Sequence, residues 1–428
     1  MQENKKSRVP VVSRVIDDTL VELIYDPHKR KTGLVVSRFN GLWNIEQELE
    51  IGTGEILVPY SASNNLIAND CVLLPSEPVE YGLKEELIED IRAYIHKYVD
   101  LSPEFESVAA YYVLLSWVHD AFNEVPYLRF LGDWGTGKTR ALNTIGSICY
   151  KPFFGSGAST VSPIFHIIDA FGGTLILDEA DLSYSDAKAE LVKILNNGTS
   201  KGMPVLRSIV NRHKEIDPYA FKVFGPKIIA TRGRFEDAAL ESRLITERTG
   251  TTSPRPEISI PQPQSLKSDA LALRNRLLLF RLSEFFRVKA NPEALASIGD
   301  PRLKQMAVPL LSMVENPTER EKIAMALIER HEMAGSDRKD DVPESAVLAS
   351  ALAAVADFPN QNIPVGEIAR RYNDAFAEVL EPRASRWVGS VLRNNLNLTT
   401  RKSKGVFVVP ASEQERIIAL ASRRGIVV

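Results

Sequence analysis

A glycine-rich segment followed by lysine and threonine predicts the chemistry of this sequence most directly. Residues 132–139 read GDWGTGKT and fill every fixed position of the pattern G-x-x-x-x-G-K-[ST], directly after an apolar run. The glycines allow a tight turn whose backbone N–H groups face phosphate oxygens. Lys138 is expected to reach the β and γ phosphates, and the Thr139 hydroxyl is expected to ligate Mg²⁺. The sequence therefore predicts binding of ATP with Mg²⁺; the alternative is a strand-to-helix turn without a ligand. The residues assigned to this binding are Gly132, Asp133, Trp134, Gly135, Thr136, Gly137, Lys138, Thr139 and Arg140.

Two acids follow a second apolar run downstream of this loop. The run GGTLIL ends at Asp178 and Glu179. A short, wholly apolar run predicts a buried parallel strand, which would deliver both carboxylates to the edge where open α/β sheets bind ligands. Asp178 is expected to hold Mg²⁺ through water, and Glu179 is expected to polarise the attacking water.

A third apolar run, PKIIA, ends in Thr231, whose hydroxyl is expected to orient the lytic water. Residues 239–243 then read ALESR. This order of motifs resembles the AAA+ ATPases, including the A-L-x-S-R signature before their last core strand. The resemblance implies that Arg243 is a finger completing the site of a neighbouring subunit, so that the active unit is a ring or at least a dimer. The alternative is a surface salt bridge from Arg243 to Glu241 or Glu247.

A basic tetrapeptide lies between two apolar runs, 205–210 and 219–224, and predicts a β-hairpin with a charged tip. In ring helicases resembling the minichromosome maintenance and superfamily 3 groups, a hairpin before the first-sensor strand projects into the central channel and holds one DNA strand. The resemblance implies that Arg212, His213 and Lys214 contact phosphates. The alternative is a solvated charged turn.

The last part of the chain combines three predicted helices, 344–356, 365–379 and 384–394, with a predicted hairpin over 398–409. No acid occurs between residues 382 and 412. Three helices and a basic hairpin resemble a winged helix, whose third helix can enter the major groove while the wing contacts the backbone. The alternative is a winged helix used for protein contacts or ring assembly. The expected DNA-binding residues are Arg386 and Arg393 on the third helix and Arg401, Lys402 and Lys404 on the wing.

The composition is that of an ordinary globular protein. The 428 residues are 44% hydrophobic and 25% charged, and the net charge of −3 excludes a uniformly basic nucleic-acid coat but leaves room for a local basic surface. No apolar run approaches ~18 residues and the polar start lacks a secretory segment, so we expect no membrane partner and a cytoplasmic location. Cys71, Cys149 and six scattered histidines show no metal-ligand spacing, which disfavours zinc and a disulfide framework.

These features predict an α/β fold with an AAA+ P-loop core, a parallel sheet and an α-helical lid, flanked by a small N-terminal β-rich domain and a C-terminal winged-helix domain. The expected boundaries are 1–80 for the β-rich domain, 81–250 for the core with its leading helices, 251–340 for the lid and linker, and 341–428 for the winged helix. The resemblance also implies a second-sensor arginine in the lid. Arg274 and Arg276 both qualify, and spacing does not choose between them.

Together, these motifs look like those of the replicative helicases of plasmids, phages and other mobile elements. The leading hypothesis is an ATP-driven ring helicase, a homo-oligomer and by expectation a hexamer, that moves along single-stranded DNA. The alternatives are an initiator or helicase loader that remodels DNA without processive translocation, and a nucleotide-switched DNA-binding scaffold in regulation or defence. Since the sequence carries no primase motif, priming is expected to come from a separate primase.

Overall fold

The computed structural model describes residues 7–39, 41–52, 54–156, 160–180, 186–210, 214–235, 237–250, 255–292, 297–341, 343–376, 382–403, 405–423 and 426. The chain forms two compact units, Met1–Arg330 and His331–Val428, which we call the first and second unit. Among the described residues, no helix combines the length and apolarity needed to cross a membrane.

Two small sheets form the front of the first unit. One is an antiparallel meander in the order β2-β3-β4-β5, and in the other β7 pairs in parallel with β1 and antiparallel with β6. The two long central strands are buried on both faces, over residues 20–24 of β3 and 32–37 of β4. The bounds are β1 Ser7–Val11, β2 Ser13–Ile16, β3 Thr19–Asp26, β4 Lys31–Arg38, β5 Trp43–Glu46, β6 Leu49–Glu50 and β7 Glu55–Pro59.

A buried ionic cluster joins this front to the rest of the first unit. The Glu22 carboxylate, in the middle of β3, lies 2.7 Å from Lys151 Nζ and 2.7 Å from Arg281 Nε, and Arg281 also binds Asp120 at 2.7 Å. Burial alone would raise the pKa of Glu22, but the charges of Arg281 and Lys151 outweigh it and lower that pKa. Because a buried charge is costly without its partner, the cluster fixes β3 against two distant segments of the chain.

Three helices lead from the front sheets into the core: α1 Asn65–Ala68, α2 Lys84–Tyr98 and α3 Pro103–Val118. Pro103 occupies the first turn of α3, where its missing N–H costs no hydrogen bond. Helix α3 carries apolar side chains on all of its faces, and almost all of these side chains are buried. A helix with this pattern belongs in the centre of the unit rather than on its surface.

Five parallel strands form the central sheet in the order β14-β8-β13-β10-β9. The three inner strands, β8, β13 and β10, are almost wholly buried, as is typical of a parallel sheet that is covered on both faces. The predicted α/β core with a parallel sheet is therefore confirmed. Its elements are β8 Tyr127–Leu131, α4 Lys138–Gly146, β9 Phe153–Ser156, α5 Val161–Phe171, β10 Leu175–Asp178, α6 Asp186–Asn197, the hairpin β11 Val205–Val210 and β12 Ile216–Phe221, β13 Lys227–Thr231, α7 Ala238–Glu241 and β14 Leu244–Arg248.

Three further helices follow the core: α8 Ser265–Glu284, α9 Pro301–Ser312 and α10 Pro317–Asp341. Both α8 and α9 pack against the buried helix α3. Asp300 begins α9 by accepting a hydrogen bond from the Leu303 N–H, and Pro301 occupies its first turn.

The second unit has its own apolar core, which includes Val347, Ile368, Val388, Leu392 and Val409. Three antiparallel strands in the order β15-β17-β16 accompany four helices. The three predicted helices and the hairpin are present, together with a first short strand and a final helix that the sequence did not indicate. The bounds are α11 Pro343–Asp357, β15 Ile363–Pro364, α12 Val365–Phe376, α13 Ser385–Asn394, β16 Arg401–Ser403, β17 Val406–Val409 and α14 Gln414–Arg423.

Candidate nucleotide-binding site

The glycine-rich loop connects β8 to the N-terminus of α4, at the carboxyl edge of the central sheet. Gly137 has φ +88°, a left-handed conformation that favours glycine, and α4 begins at the next residue. A Cβ on Gly132 would lie 2.6 Å from Thr249 Oγ1 and 2.7 Å from the Thr249 carbonyl oxygen. The path of the loop thus requires both glycines. The N–H groups in the first turn of α4, which have no partner within the helix, face the loop.

The catalytic side chains predicted from the loop and the acidic strand meet at this edge. Thr139 Oγ1 donates to Asp178 Oδ2 at 2.7 Å, and the Glu179 N–H donates to Asp178 Oδ1 at 2.9 Å. Lys138 Nζ donates to the carbonyl oxygens of Gly132 (2.6 Å) and Asp133 (2.5 Å). A hydroxyl beside two adjacent carboxylates is a set of oxygen donors that suits Mg²⁺, so these residues fit a magnesium–nucleotide complex.

Two neighbouring cavities share the loop as a common wall. The smaller, of about 330 Å³, contains Lys138, Thr139, Asp178 and Glu179, and the larger, of about 790 Å³, extends from the loop towards the linker before α3. Arg140 connects the walls of the larger cavity, since it donates to the Tyr98 carbonyl at 3.3 Å and to the Ile260 carbonyl. The sizes match a phosphate compartment next to a compartment for the base and sugar. The larger cavity is lined by residues 99–103, 135–137, 140–141, 247–250 and 258–260.

Thr231 ends β13 beside the last residue of β8, directly next to the start of the loop. Its carbonyl accepts the Gly132 N–H at 3.2 Å, while its side chain is completely buried. Within the described part of the chain, Thr231 Oγ1 has no hydrogen-bond partner. A buried hydroxyl without a partner costs about 1–3 kcal/mol, which a polar ligand atom or a water molecule at this position would recover.

Arg232, which sequence reasoning missed, also lines the phosphate cavity. Its guanidinium carbon lies 3.7 Å from the centre of the Trp134 ring, a cation–π contact between the loop and the strand end after Thr231. The signal was present in the sequence, because Arg232 directly follows the polar residue that ends a predicted strand.

Arg243 lies at the opposite edge of the same sheet. Leu244, the first residue of β14, pairs with Tyr127, the first residue of β8, and the Arg243 carbonyl accepts the Tyr127 N–H at 3.0 Å. The loop begins at the other end of β8, about 13 Å away for four steps of about 3.3 Å along a strand. Arg243 of one chain is therefore remote from the phosphate loop of that same chain.

The guanidinium of Arg243 is half-buried and bound at the end of α6. It donates to Asn196 Oδ1 and Thr199 Oγ1, both at 3.2 Å, and to the Ala239 carbonyl at 2.5 Å. Partial burial and then the charge of Arg302 lower the pKa of Arg243 from its usual value.

The two carboxylates considered as surface partners of Arg243 have other partners in this structure. Glu241 binds Arg129, and Glu247 binds Arg330 at 2.9 Å. Arg243 is thus held by neutral hydrogen-bond acceptors, with the negative charges of Asp237 and Glu124 close enough to act on its pKa.

The two second-sensor candidates are bound elsewhere in the first unit. Arg274 is buried and donates to the carbonyls of Ser147 (2.6 Å) and Leu74 (3.4 Å), and burial lowers its pKa to about 10. Arg276 binds Asp90 and donates to the Tyr81 carbonyl at 2.9 Å. Both arginines hold helix α8 in place in this structure, and a sensor role for either remains a prediction.

The predicted hairpin forms, as β11 and β12. Of its basic tip, Lys214 is exposed with φ +63°, while Arg212 and His213 lie outside the described residues. One face of the hairpin packs on α5, where Phe221 contacts Phe165. The other face is apolar yet exposed, a feature that strand patterning did not predict; its large side chains are Leu206, Val210 and Ile216.

Basic residues of the second unit lie on its surface, as predicted. Arg386 and Arg393 are exposed on α13, and Arg401 and Lys402 are exposed on β16. Arg393 Nη1 donates to Thr400 Oγ1 at 2.9 Å, which links the end of the helix to the start of the hairpin. Lys404 lies outside the described residues.

Comparisons with known proteins give structural neighbours alone, since no protein-family model and no curated protein matches the sequence. The chain is similar to the apo C-terminal region of NrS-1, with 11% identity, 91% of this chain and 96% of that chain covered, and a TM-score of 0.37. It is also similar to the SCCmec type IV Cch active helicase (12%, 96% and 97%, 0.36) and to an MCM homolog from Methanopyrus kandleri (14%, 76% and 77%, 0.38).

An active helicase and an MCM homolog are thus among the structural neighbours. At TM-scores below 0.5, such a similarity says nothing about what this chain binds or does.

Proposed function

We propose that the protein is an ATP-driven AAA+ motor that assembles into a ring and works as a DNA helicase. One observation carries the proposal: the phosphate loop and Arg243 lie at opposite edges of one sheet. A single chain therefore presents a nucleotide site at one edge and, at the other, an arginine held by neutral acceptors that we propose completes a neighbour's site. Such a head-to-tail arrangement can close into a ring, for which we propose a homo-hexamer.

Each residue of the site has a part in this proposal. Lys138 exchanges its loop carbonyls for the β and γ phosphates. Thr139, together with Asp178 through water, would hold Mg²⁺, which would neutralise charge on the phosphates. Glu179 polarises the attacking water and the orphaned Thr231 hydroxyl orients it. Arg243 of the next subunit stabilises the charge that develops as the γ phosphoryl group departs.

We also propose that the second unit is a winged helix that binds DNA, with Arg386, Arg393, Arg401 and Lys402 on phosphates. The order helix, strand, helix, helix, hairpin supports this reading, and so does the absence of acids from residues 382 to 412. Lys214 at the hairpin tip is proposed to contact a single strand. The proposal also keeps four expectations that depend on the sequence alone. These are action on a mobile or extrachromosomal element, a separate primase, a cytoplasmic location and the four domain boundaries given above.

Mixed-subunit ATPase assays test the ring. Lys138→Ala lacks a working loop and Arg243→Ala lacks the donated arginine, so each alone is expected to hydrolyse little ATP. In an equal mixture, about one quarter of the interfaces combine an intact loop with an intact arginine, and activity is expected to recover to that extent. Arg287→Ala, an exposed arginine that binds Glu284, is the matched control and should keep full activity. Full activity of Arg243→Ala alone, or no recovery on mixing, would refute the shared site.

Strand displacement tests the helicase. With forked DNA of several tens of base pairs, the wild type is expected to displace a strand only with ATP, and Lys138→Ala is expected to displace none. DNA-stimulated ATPase without displacement would instead assign the protein to the initiators or loaders.

A further inference from the structure

The hairpin of the second unit carries an aromatic side chain in solvent. Phe407, on β17, is 55% exposed, whereas the next two residues of the strand, Val408 and Val409, are buried. An exposed phenyl ring forgoes the free energy that its burial would provide. Packing within the second unit does not explain the exposure of Phe407.

Its immediate surroundings are basic. Lys402 on β16 pairs directly with Phe407, so both side chains project from the same face of the hairpin with Cβ atoms about 5 Å apart. Arg401 is exposed on the opposite face of the same strand, and Arg393 lies at the start of the hairpin through its bond to Thr400. No acid occurs among residues 382–412, so the charged side chains that the hairpin itself carries are all basic.

A flat apolar ring beside an ammonium group matches one kind of ligand closely. Nucleic acid supplies a phosphate for the cation and a base whose face can stack on the ring. Bases inside a duplex are covered on both faces by their neighbours, whereas an unpaired base offers a face to Phe407. An acidic protein surface would form an ion pair with Lys402 but offer no flat face to the ring. A single phenyl group buries too little apolar area to bind a membrane surface stably.

We propose that Phe407 stacks on an unpaired DNA base beside a duplex while Lys402 binds the adjacent phosphate. The hairpin then recognises a junction between single-stranded and double-stranded DNA rather than duplex alone. This inference rests on the proposed DNA binding of the second unit and adds to it a site for an unpaired base. In a strand-separating motor, such a contact would hold the displaced strand away from its complement.

The test uses the full-length protein and three DNAs of matched length: a single strand, a blunt duplex and a fork. Affinities are measured by fluorescence anisotropy over a series of salt concentrations. Phe407→Ala is expected to weaken binding to the fork and the single strand by about 5- to 150-fold, the range for loss of one stacked base, and to leave duplex binding unchanged. The salt dependence should stay the same, because no charge is removed.

Val406→Ala provides the matched control. Val406 is 54% exposed on the same strand but projects from the opposite face, so its loss should leave all three affinities unchanged. Phe407→Leu keeps an apolar side chain without the ring and is expected to fall between wild type and Phe407→Ala. A 2-aminopurine base at the fork junction reports stacking directly, and its fluorescence should respond to wild type but not to Phe407→Ala.

Two results separate this inference from the wider proposal. Lys402→Ala should weaken binding to all three DNAs and reduce the slope of log affinity against log salt by about one. If Lys402→Ala has no effect, Lys402 does not bind the adjacent phosphate and this inference fails. The proposed DNA binding of the unit fails as well only if Ala at Arg386, Arg393 and Arg401 also leaves binding unchanged. If Lys402→Ala weakens binding while Phe407→Ala weakens fork and duplex equally, or weakens neither, DNA binding stands and base stacking is refuted. A change in oligomeric state on Phe407→Ala with unchanged DNA binding would also refute it.

Discussion

The buried pair of Arg129 and Glu241 allows a quantitative test of how the strand that carries the phosphate loop is joined to the segment before Arg243. Arg129 stands in the middle of β8, and both of its terminal nitrogens donate to Glu241, with Nη2 at 2.8 Å. Its Nε donates to Thr246 Oγ1 at 3.0 Å, and Glu241 also accepts the Phe235 N–H at 2.7 Å. The two side chains are 1% and 4% exposed, so water does not replace either partner.

Removing one partner leaves the other charge buried. We expect Arg129→Met and Glu241→Leu each to lower the free energy of unfolding of the first unit by about 3–5 kcal/mol. The double variant leaves no charge behind; it orphans mainly the Phe235 N–H, and we expect it to lose only about 1–3 kcal/mol. The sum of the single losses exceeds the double loss by at least about 3 kcal/mol, which is the coupling energy of the pair.

Hydrogen exchange at the amides of β8 and β14, measured in increasing urea, gives these free energies for the first unit alone. Arg8→Met is the control, because Arg8 and Glu48 form an ion pair whose side chains are 59% and 47% exposed, and it should cost less than about 1 kcal/mol. If the buried single variants behaved like this control, the tight contact between β8 and the segment before Arg243 would be wrong.

Two further predictions concern chemistry and pH. Glu179→Gln keeps the loop and should bind ATP normally while hydrolysing it at least about 100-fold more slowly, whereas Lys138→Ala should weaken ATP binding itself; equal binding defects in equilibrium titrations would contradict their separate roles. Burial lowers the pKa of His119 from 6.5 to about 4. Between these two pH values, His119 is therefore protonated in the unfolded chain but neutral in the folded chain. Stability should therefore fall between pH 6.5 and 4, by about 2 kcal/mol at pH 5, and His119→Asn should lose less than the wild type over the same range in urea unfolding. Parallel pH profiles of the two proteins would show that His119 does not titrate in this way.

The part of the site that could be predicted from the sequence is the part encoded by local pattern. The loop between β8 and α4, the strand ending at Asp178 and the strand ending at Thr231 each combine an apolar run with a polar residue at its end. Parallel strands bring their carboxyl ends to one edge, so three separate motifs predict one site. Arg243 follows the same logic in reverse, since a residue preceding a strand lies at the opposite edge.

Pairings between residues far apart in the chain could not be predicted from local sequence patterns. Glu22 needs Lys151 and Arg281, and each of the three reads in sequence as an ordinary surface charge, because periodicity reports which face of an element is apolar but not which charge will be buried with which. The same limit explains why Arg274 looks like a sensor in the sequence, yet in the structure its guanidinium is enclosed and bound to the Ser147 carbonyl. Burial of a charge is decided by its partners across the fold, so a candidate arginine can be weighed only after the residues facing it are known. By that criterion Arg243 differs from Arg274: it is half-buried at an edge, held by neutral acceptors, and so retains a charge to offer to another molecule.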